Sequence, residues 1–174
     1  CIWCTLAPIS IQISRDELSG FNCLQDGNKT SLLVHCCLLS KQTEAELQAL
    51  VCLITGATSG IGRASALELA RQGLTVVLVG RDYRKCTETA GKIISATGNS
   101  SVTYLLADLS SQRDIRSLAE QFQTKYSRLD VLVNNAGTIA WTRQLSPDGI
   151  EMTFALNHLS YFLLTNLLLD ALVS

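Results

Sequence analysis

Residues Val51 to Gly62 read VCLITGATSGIG, an apolar run that breaks into a glycine-rich turn and opens a helix-forming stretch. An apolar run of this length suits a strand buried on both faces, as in a parallel sheet. Gly56 can take the tight turn off the strand end. Gly60 leaves room for backbone N–H groups to approach a pyrophosphate, and Gly62 lets the next helix pack close to the sheet. The helix would then present unpaired N–H donors and its positive dipole end to the phosphates. The spacing is G-x-x-x-G-x-G rather than G-x-G-x-x-G, which points to one branch of the nucleotide-binding folds.

Further strands and helices follow in alternation. Strands are predicted at 51–55, 75–79, 102–107 and 131–133. One helix is predicted over about 60–72, stopped by Gly73, and a second over 83–97, stopped by Gly98-Asn99. In a third, Ile115, Leu118, Ala119 and Phe122 recur at i, i+3, i+4 and i+7. A fourth starts after Ser146-Pro147-Asp148 and runs to the chain end. This alternation implies βαβ units, right-handed crossovers and an α/β doubly wound parallel sheet. The expected strand order is 3-2-1-4, with a crevice at the carboxyl ends near the switch between the first and fourth strands. The fourth strand would be an exposed edge. Residues 1–49 sustain no period and are expected to be an unassigned extension, with a short lead-in helix over 41–50, leaving the domain at 50–174.

Composition narrows the function classes. The chain has 174 residues, 47% hydrophobic and 17% charged, the make-up of one globular α/β domain. Its 14 basic and 15 acidic residues form no basic run, which argues against nucleic-acid binding. The most apolar stretch, 161–173, is interrupted by Thr165, Asn166 and Asp170, so no membrane span is expected. The Cys1/Cys4 and His35-Cys36-Cys37 spacings match no common zinc site, so no metal is expected. Seven cysteines without a disulfide framework fit a reducing, cytoplasmic setting. A single methionine at Met152 and the abrupt end at Ser174 make the chain read as a fragment.

The predicted strand ends carry the chemistry. After the second strand stand Arg81 and Asp82. A guanidinium suits a ribose 2′-phosphate, whereas an acid suits the unphosphorylated ribose, so Arg81 favours NADP(H) and Asp82 keeps NAD open. A solvated Arg–Asp pair is the bland alternative. After the third strand, Asp108 can accept from an adenine amino group while Leu109 covers the ring. Asp108 could equally cap the third helix, although Ser110 or Ser111 is the better cap. After the fourth strand, Asn135, Ala136 and Gly137 of the run Asn134-Asn135-Ala136-Gly137 let a ribose approach the backbone, and the Asn side chains can stitch neighbouring strand ends. An ordinary turn would read the same.

Taken together, TGATSGIG at 55–62, the Arg81 position, Asp108-Leu109, NNAG at 134–137 and LNHLSYFLLTNLLLD at 156–170 resemble the short-chain dehydrogenase/reductases. The last stretch looks like the retinol-dehydrogenase-like and WW-domain-oxidoreductase-like members. The resemblance covers about residues 50–174 and implies a Rossmann-like fold, truncated at its C-terminus after four strands. It implies an NADP(H)-dependent oxidoreductase that interconverts a small-molecule alcohol and carbonyl. The cofactor would lie on Gly56, Thr58, Ser59, Gly60, Ile61, Gly62, Arg81, Asp108, Leu109, Asn135, Ala136 and Gly137. In this family an Asn in a distorted fourth helix positions a proton-relay water beside a Ser and a Tyr-x-x-x-Lys pair. Asn157 matches that Asn, with a helix residue satisfied by local hydrogen bonds as the alternative, and no role is assigned to His158. Tyr161 is followed four places on by Thr165 and Tyr126 by Asp130. The catalytic Ser, Tyr and Lys are thus expected to be missing, leaving an inactive fragment. The alternative is a nucleotide-binding or interaction module without turnover. The apolar fourth helix is a candidate homodimer face.

Overall fold

The computed structural model describes residues 2–6, 9–13 and 49–173. Four parallel strands form its centre: β3 (Val51–Thr55), β4 (Thr75–Gly80), β5 (Val102–Leu106) and β6 (Val131–Asn134). They lie side by side as β6-β3-β4-β5, the expected order read from the other edge. Three helices connect them: α1 (Gly60–Arg71), α2 (Tyr83–Thr97) and α3 (Gln112–Lys125). This is the doubly wound, Rossmann-like arrangement.

Side chains alternate across the sheet and divide the core into two layers. Cys52, Ile54, Val76 and Leu78 face Ala66, Leu69, Ala90 and Ile93 of α1 and α2. Val51, Leu53, Val77 and Val79 face Ile115, Leu118 and Phe122 of α3, together with Leu164 and Leu168. Both faces of β3 are fully covered, which is why its sequence is an unbroken apolar run. Asp130 is buried at the foot of the sheet. Its Oδ2 accepts from Val51 N at 2.7 Å, and its other oxygen meets the Arg128 guanidinium. Burial and this carboxylate together push the Cys52 thiol upward, so it is an inert core group.

The region after β6 is less regular than predicted. Leu145 and Glu151 form an isolated antiparallel bridge around a turn with Gly149 at φ 75°. Helix starts only at α4 (Met152–Phe154), where both oxygens of Glu151 accept from Thr153 N and Phe154 N. These bonds hold the Glu151 carboxyl below the usual carboxylate range. A π-helical turn follows over Ala155–Leu159, then α5 (Ser160–Leu167) and α6 (Leu169–Val173).

The expectation for the first residues also changes. Two strands, β1 (Ile2–Leu6) and β2 (Ile9–Ile13), pair antiparallel with each other. β2 pairs antiparallel with β6, from Ser10 opposite Asn134 to Ile13 opposite Val131. The sheet is therefore six-stranded, in the order β1-β2-β6-β3-β4-β5, and β6 is not an edge. Unsatisfied N–H and C=O groups on β6 are the physical reason a strand belongs there. The expected lead-in helix and the His35-Cys36-Cys37 cluster lie outside the described residues.

Candidate functional site

At the carboxyl ends of the parallel strands a crevice of about 610 Å³ opens, a size common for ligand sites. Of the residues expected to hold a cofactor, it is lined by Gly56, Thr58, Ser59, Arg81, Asp108, Leu109, Asn135, Ala136 and Gly137. Gly60, Ile61, Gly62 and Asn157 are not among the residues that line it. Val79, Gly80, Asp82, Lys85, Ala107, Thr138, Gln144, Met152 and Leu156 complete the lining.

The glycine turn is shaped by close approach. Gly56 has φ +65°, and a Cβ on it would lie 2.8 Å from Ala136 Cα. A Cβ on Gly62 would lie 2.4 Å from Asn135 Nδ2 and 2.5 Å from Gly56 O. The close packing foreseen for Gly62 is thus against the turn itself and the Asn135 amide. Gly60 has φ +53° and open space around the Cβ position, so its requirement is conformational. Ser59 precedes α1 in an extended conformation and makes no side-chain cap bond. The first turn of α1 also carries no acidic residue, leaving a helix N-terminus suited to an anion beside the glycines.

A knot of hydrogen bonds holds the ends of β3 and β6 in register. The fully buried Thr55 hydroxyl accepts from Asn135 N at 2.9 Å and Ala136 N at 3.0 Å, and donates to Val133 O at 3.3 Å. Asn135 returns the connection, its Nδ2 donating to Thr55 O at 2.9 Å and Gly56 O at 3.2 Å. The stitching expected of the Asn pair is therefore carried by Asn135. Asn134 is buried instead and donates to Thr165 Oγ1 at 3.1 Å. Tyr161 braces the same turn from α5, its hydroxyl donating to Ala136 O at 2.6 Å. Burial pushes its phenol up to about 12. The role of Thr55 was not foreseen in the sequence, and Tyr161 was weighed there only as the tyrosine of a Tyr-x-x-x-Lys pair. Thr55 looks like the last residue of a buried strand, and Tyr161 like a helix residue, until the facing backbone is known.

The acids are committed. Asp82 caps α2, its Oδ1 accepting from Lys85 N at 3.1 Å. Asp108 Oδ1 accepts from Ser110 N at 3.0 Å and Ser110 Oγ at 2.8 Å, while Ser111 caps α3. Asn157 sits in the π-helical turn and grips the residue after Gly137. Its Oδ1 accepts from Thr138 N and its Nδ2 donates to Thr138 O, both at 2.9 Å. Turns of this kind loosen the regular carbonyl pairing and recur at functional sites. His158 stacks on Phe154 with ring centroids 5.2 Å apart. Among the described residues no cluster of His, Cys, Asp or Glu could hold a metal, and no helix is long and apolar enough to cross a membrane.

Comparison with known proteins agrees with this architecture. The family model for short chain dehydrogenase matches residues 50–174. Human retinol dehydrogenase 13 is 42% identical over 130 residues, covering 75% of this chain and 39% of that one. Human polyprenol dehydrogenase is 43% identical over 122 residues, covering 70% of this chain and 37% of its own. The structure of the Pseudomonas aeruginosa RhlG/NADP active-site complex superposes with a TM-score of 0.60 at 36% identity, covering 71% of this chain and 48% of that one. The chain thus spans about two fifths of the length of these curated relatives. The chain, matched by this family model over residues 50–174, belongs to the short chain dehydrogenase family of oxidoreductases.

Proposed function

We propose that this chain supplies the NADP(H)-binding part of an oxidoreductase that interconverts a small-molecule alcohol and a carbonyl. The observation that carries the reading is convergence: the glycine turn, Arg81 and the Asn135–Gly137 turn line one crevice at the strand ends. The residues fit a dinucleotide, because the spaces a Cβ would fill at Gly56 and Gly62 are already taken by the facing backbone and Asn135. That contact brings two backbone segments together at the position where phosphates and ribose need a surface without side chains. When bound, the nicotinamide supplies hydride chemistry.

The chain's own residues bind and orient. Gly56, Thr58, Ser59 and the α1 N-terminus face the pyrophosphate, Asp108 and Leu109 the adenine, and Asn135–Gly137 the nicotinamide-side ribose. Arg81 takes the 2′-phosphate. Asp82 also lines the crevice, with one carboxylate oxygen accepting from Lys85 N as the α2 cap. Asn157 acts through Thr138, fixing the backbone after Gly137, and the π-helical turn around it is where a proton-relay water would be held. No Tyr-x-x-x-Lys follows β6 in these 174 residues, so the chain by itself binds nucleotide without turning it over. The exposed Phe154 and Phe162 make the α4–α5 face the candidate homodimer surface.

Fluorescence titration with NADPH and NADH tests the reading. NADPH binds more tightly, and Arg81→Asp narrows or inverts the difference, by about tenfold or more for a reversed charge beside a phosphate. Equal affinities before and after the substitution would remove Arg81 from the 2′-phosphate site.

A further inference from the structure

Two walls of the crevice come from different parts of the chain. One follows β5 and carries Ala107, Asp108 and Leu109; the other follows β6 and carries Thr138, Gln144, Met152 and Leu156. The second wall stands on a tight hairpin. Ser146 N donates to Ile150 O at 2.7 Å, Gly149 N to Ser146 O at 2.9 Å and Met152 N to Gln144 O at 2.9 Å. The tip of this hairpin reaches the first wall. Asp148 Oδ2 accepts from Gln112 N at 2.8 Å, between residues 36 places apart in the chain. Gln112 opens α3, and the first N–H groups of a helix have no partner within it. Ser111 Oγ takes the N–H of Asp114, and Asp148 takes that of Gln112. A carboxylate suits this end of a helix by its charge as well as by its geometry. Beside the clip, Leu109 and Ile115 share with Ile150, Ala155 and Leu159 a gap of only about 10 Å³, so the seam between the walls is closed.

We propose that Asp148 is a positioning residue: its bond to Gln112 clamps the two walls together and so sets the affinity for a ligand long enough to touch both. The inference rests on the NADP reading above and deepens it. On that reading adenine lies on Asp108 and Leu109, and the nicotinamide-side ribose lies on Asn135–Gly137, next to Thr138. A dinucleotide therefore spans both walls, whereas its adenosine half touches the first alone. Walls already held at their working separation spare the longer ligand the cost of ordering them. With the clip released, the dinucleotide must order the hairpin as it binds, and the adenosine half is unaffected. Asp148 is not among the residues lining the crevice, so its effect passes through the backbone of 144–152 rather than through contact with the ligand.

The test compares NADPH with adenosine 2′,5′-bisphosphate on the full chain by calorimetry. The ratio of their affinities reads what the nicotinamide half adds. Asp148→Ala removes the acceptor from an exposed turn and lowers the ratio about fivefold, the worth of one charge-assisted bond at a helix N-terminus. Asp148→Asn keeps an acceptor oxygen and restores most of the ratio. Hydrogen exchange at the Gln112 amide is slow in the wild type and in Asp148→Asn, and faster in Asp148→Ala. A ratio unchanged by Asp148→Ala, or both ligands weakened equally, overturns the clamp and leaves the NADP reading standing. Gln112 exchange that stays slow in Asp148→Ala, or a wild-type ratio near one, overturns the clamp in the same way. Failure of the wild type to bind either nucleotide overturns that reading and the inference with it.

Discussion

The Thr55→Val substitution keeps the shape of the side chain and removes one hydroxyl, which here is saturated. Its single donor goes to Val133 O, and its two acceptor positions take the N–H groups of Asn135 and Ala136. Valine leaves both donors without their partner at a half-buried turn. At a half-buried turn each orphaned N–H costs toward the low end of about 1–3 kcal/mol, so the pair costs about 3–4 kcal/mol against about 1 kcal/mol returned by the added methyl. The net loss is about 2–3 kcal/mol, or roughly 5–10 °C in Tm for a domain of this size. Thr55→Ser keeps all three bonds and loses one buried methyl, costing about 1 kcal/mol. The order is the reverse of hydrophobicity, since the more apolar substitution does more harm. Urea unfolding followed by far-ultraviolet circular dichroism measures both variants, and nucleotide titration reads the crevice. Adenine nucleotide affinity falls further in Thr55→Val, because the freed Asn135–Gly137 turn lines the site. A Thr55→Val protein as stable as Thr55→Ser would refute the view that this hydroxyl locks the strand ends.

Two further substitutions bear on the same turn. Gly62→Ala drives a methyl into Asn135 Nδ2 and Gly56 O, both fixed by their surroundings, and costs about 2–3 kcal/mol. Gly60→Ala meets open space at φ +53° and costs about 1 kcal/mol, so its denaturation midpoint should lie above that of Gly62→Ala. Tyr161→Phe loses the bond to Ala136 O and about 1 kcal/mol at neutral pH. Its phenol titrates near 12 in the folded chain and about 10 when unfolded. Its share of stability is therefore complete below pH ~10 and fades as pH climbs from there toward 12. Stability measured from pH 7 to 11.5 should decline less steeply in Tyr161→Phe, and a steeper decline would rule this out.

Much of the domain was legible because its signals are local. Apolar runs, turn glycines and the helical stripe of Ile115, Leu118 and Phe122 each follow from residues close in the chain. The N-terminal hairpin was harder to see. Ile9-Ser10-Ile11-Gln12-Ile13 alternates at period two, a strand signal easily overlooked in a short stretch without a helix partner. The Leu145–Glu151 bridge ahead of the fourth helix was missed, whereas the distorted stretch at Asn157 was expected from the family resemblance alone and is a π-helical turn.

The strand–helix alternation, the parallel sheet and the identity of most crevice residues follow from the amino-acid order alone. Period, turn chemistry and strand-end position are properties of contiguous residues. How those residues are used depends on the folded arrangement. Thr55 became a hydrogen-bond hub because β6 brings two amide groups to its hydroxyl. Asp82 became a helix cap because α2 starts beside it, and Lys85 came to the crevice because Cys86 packs beneath Gly80. Apart from the Asp82 cap, which is local to the first turn of α2, each of these depends on a partner met only once the strands and helices have docked.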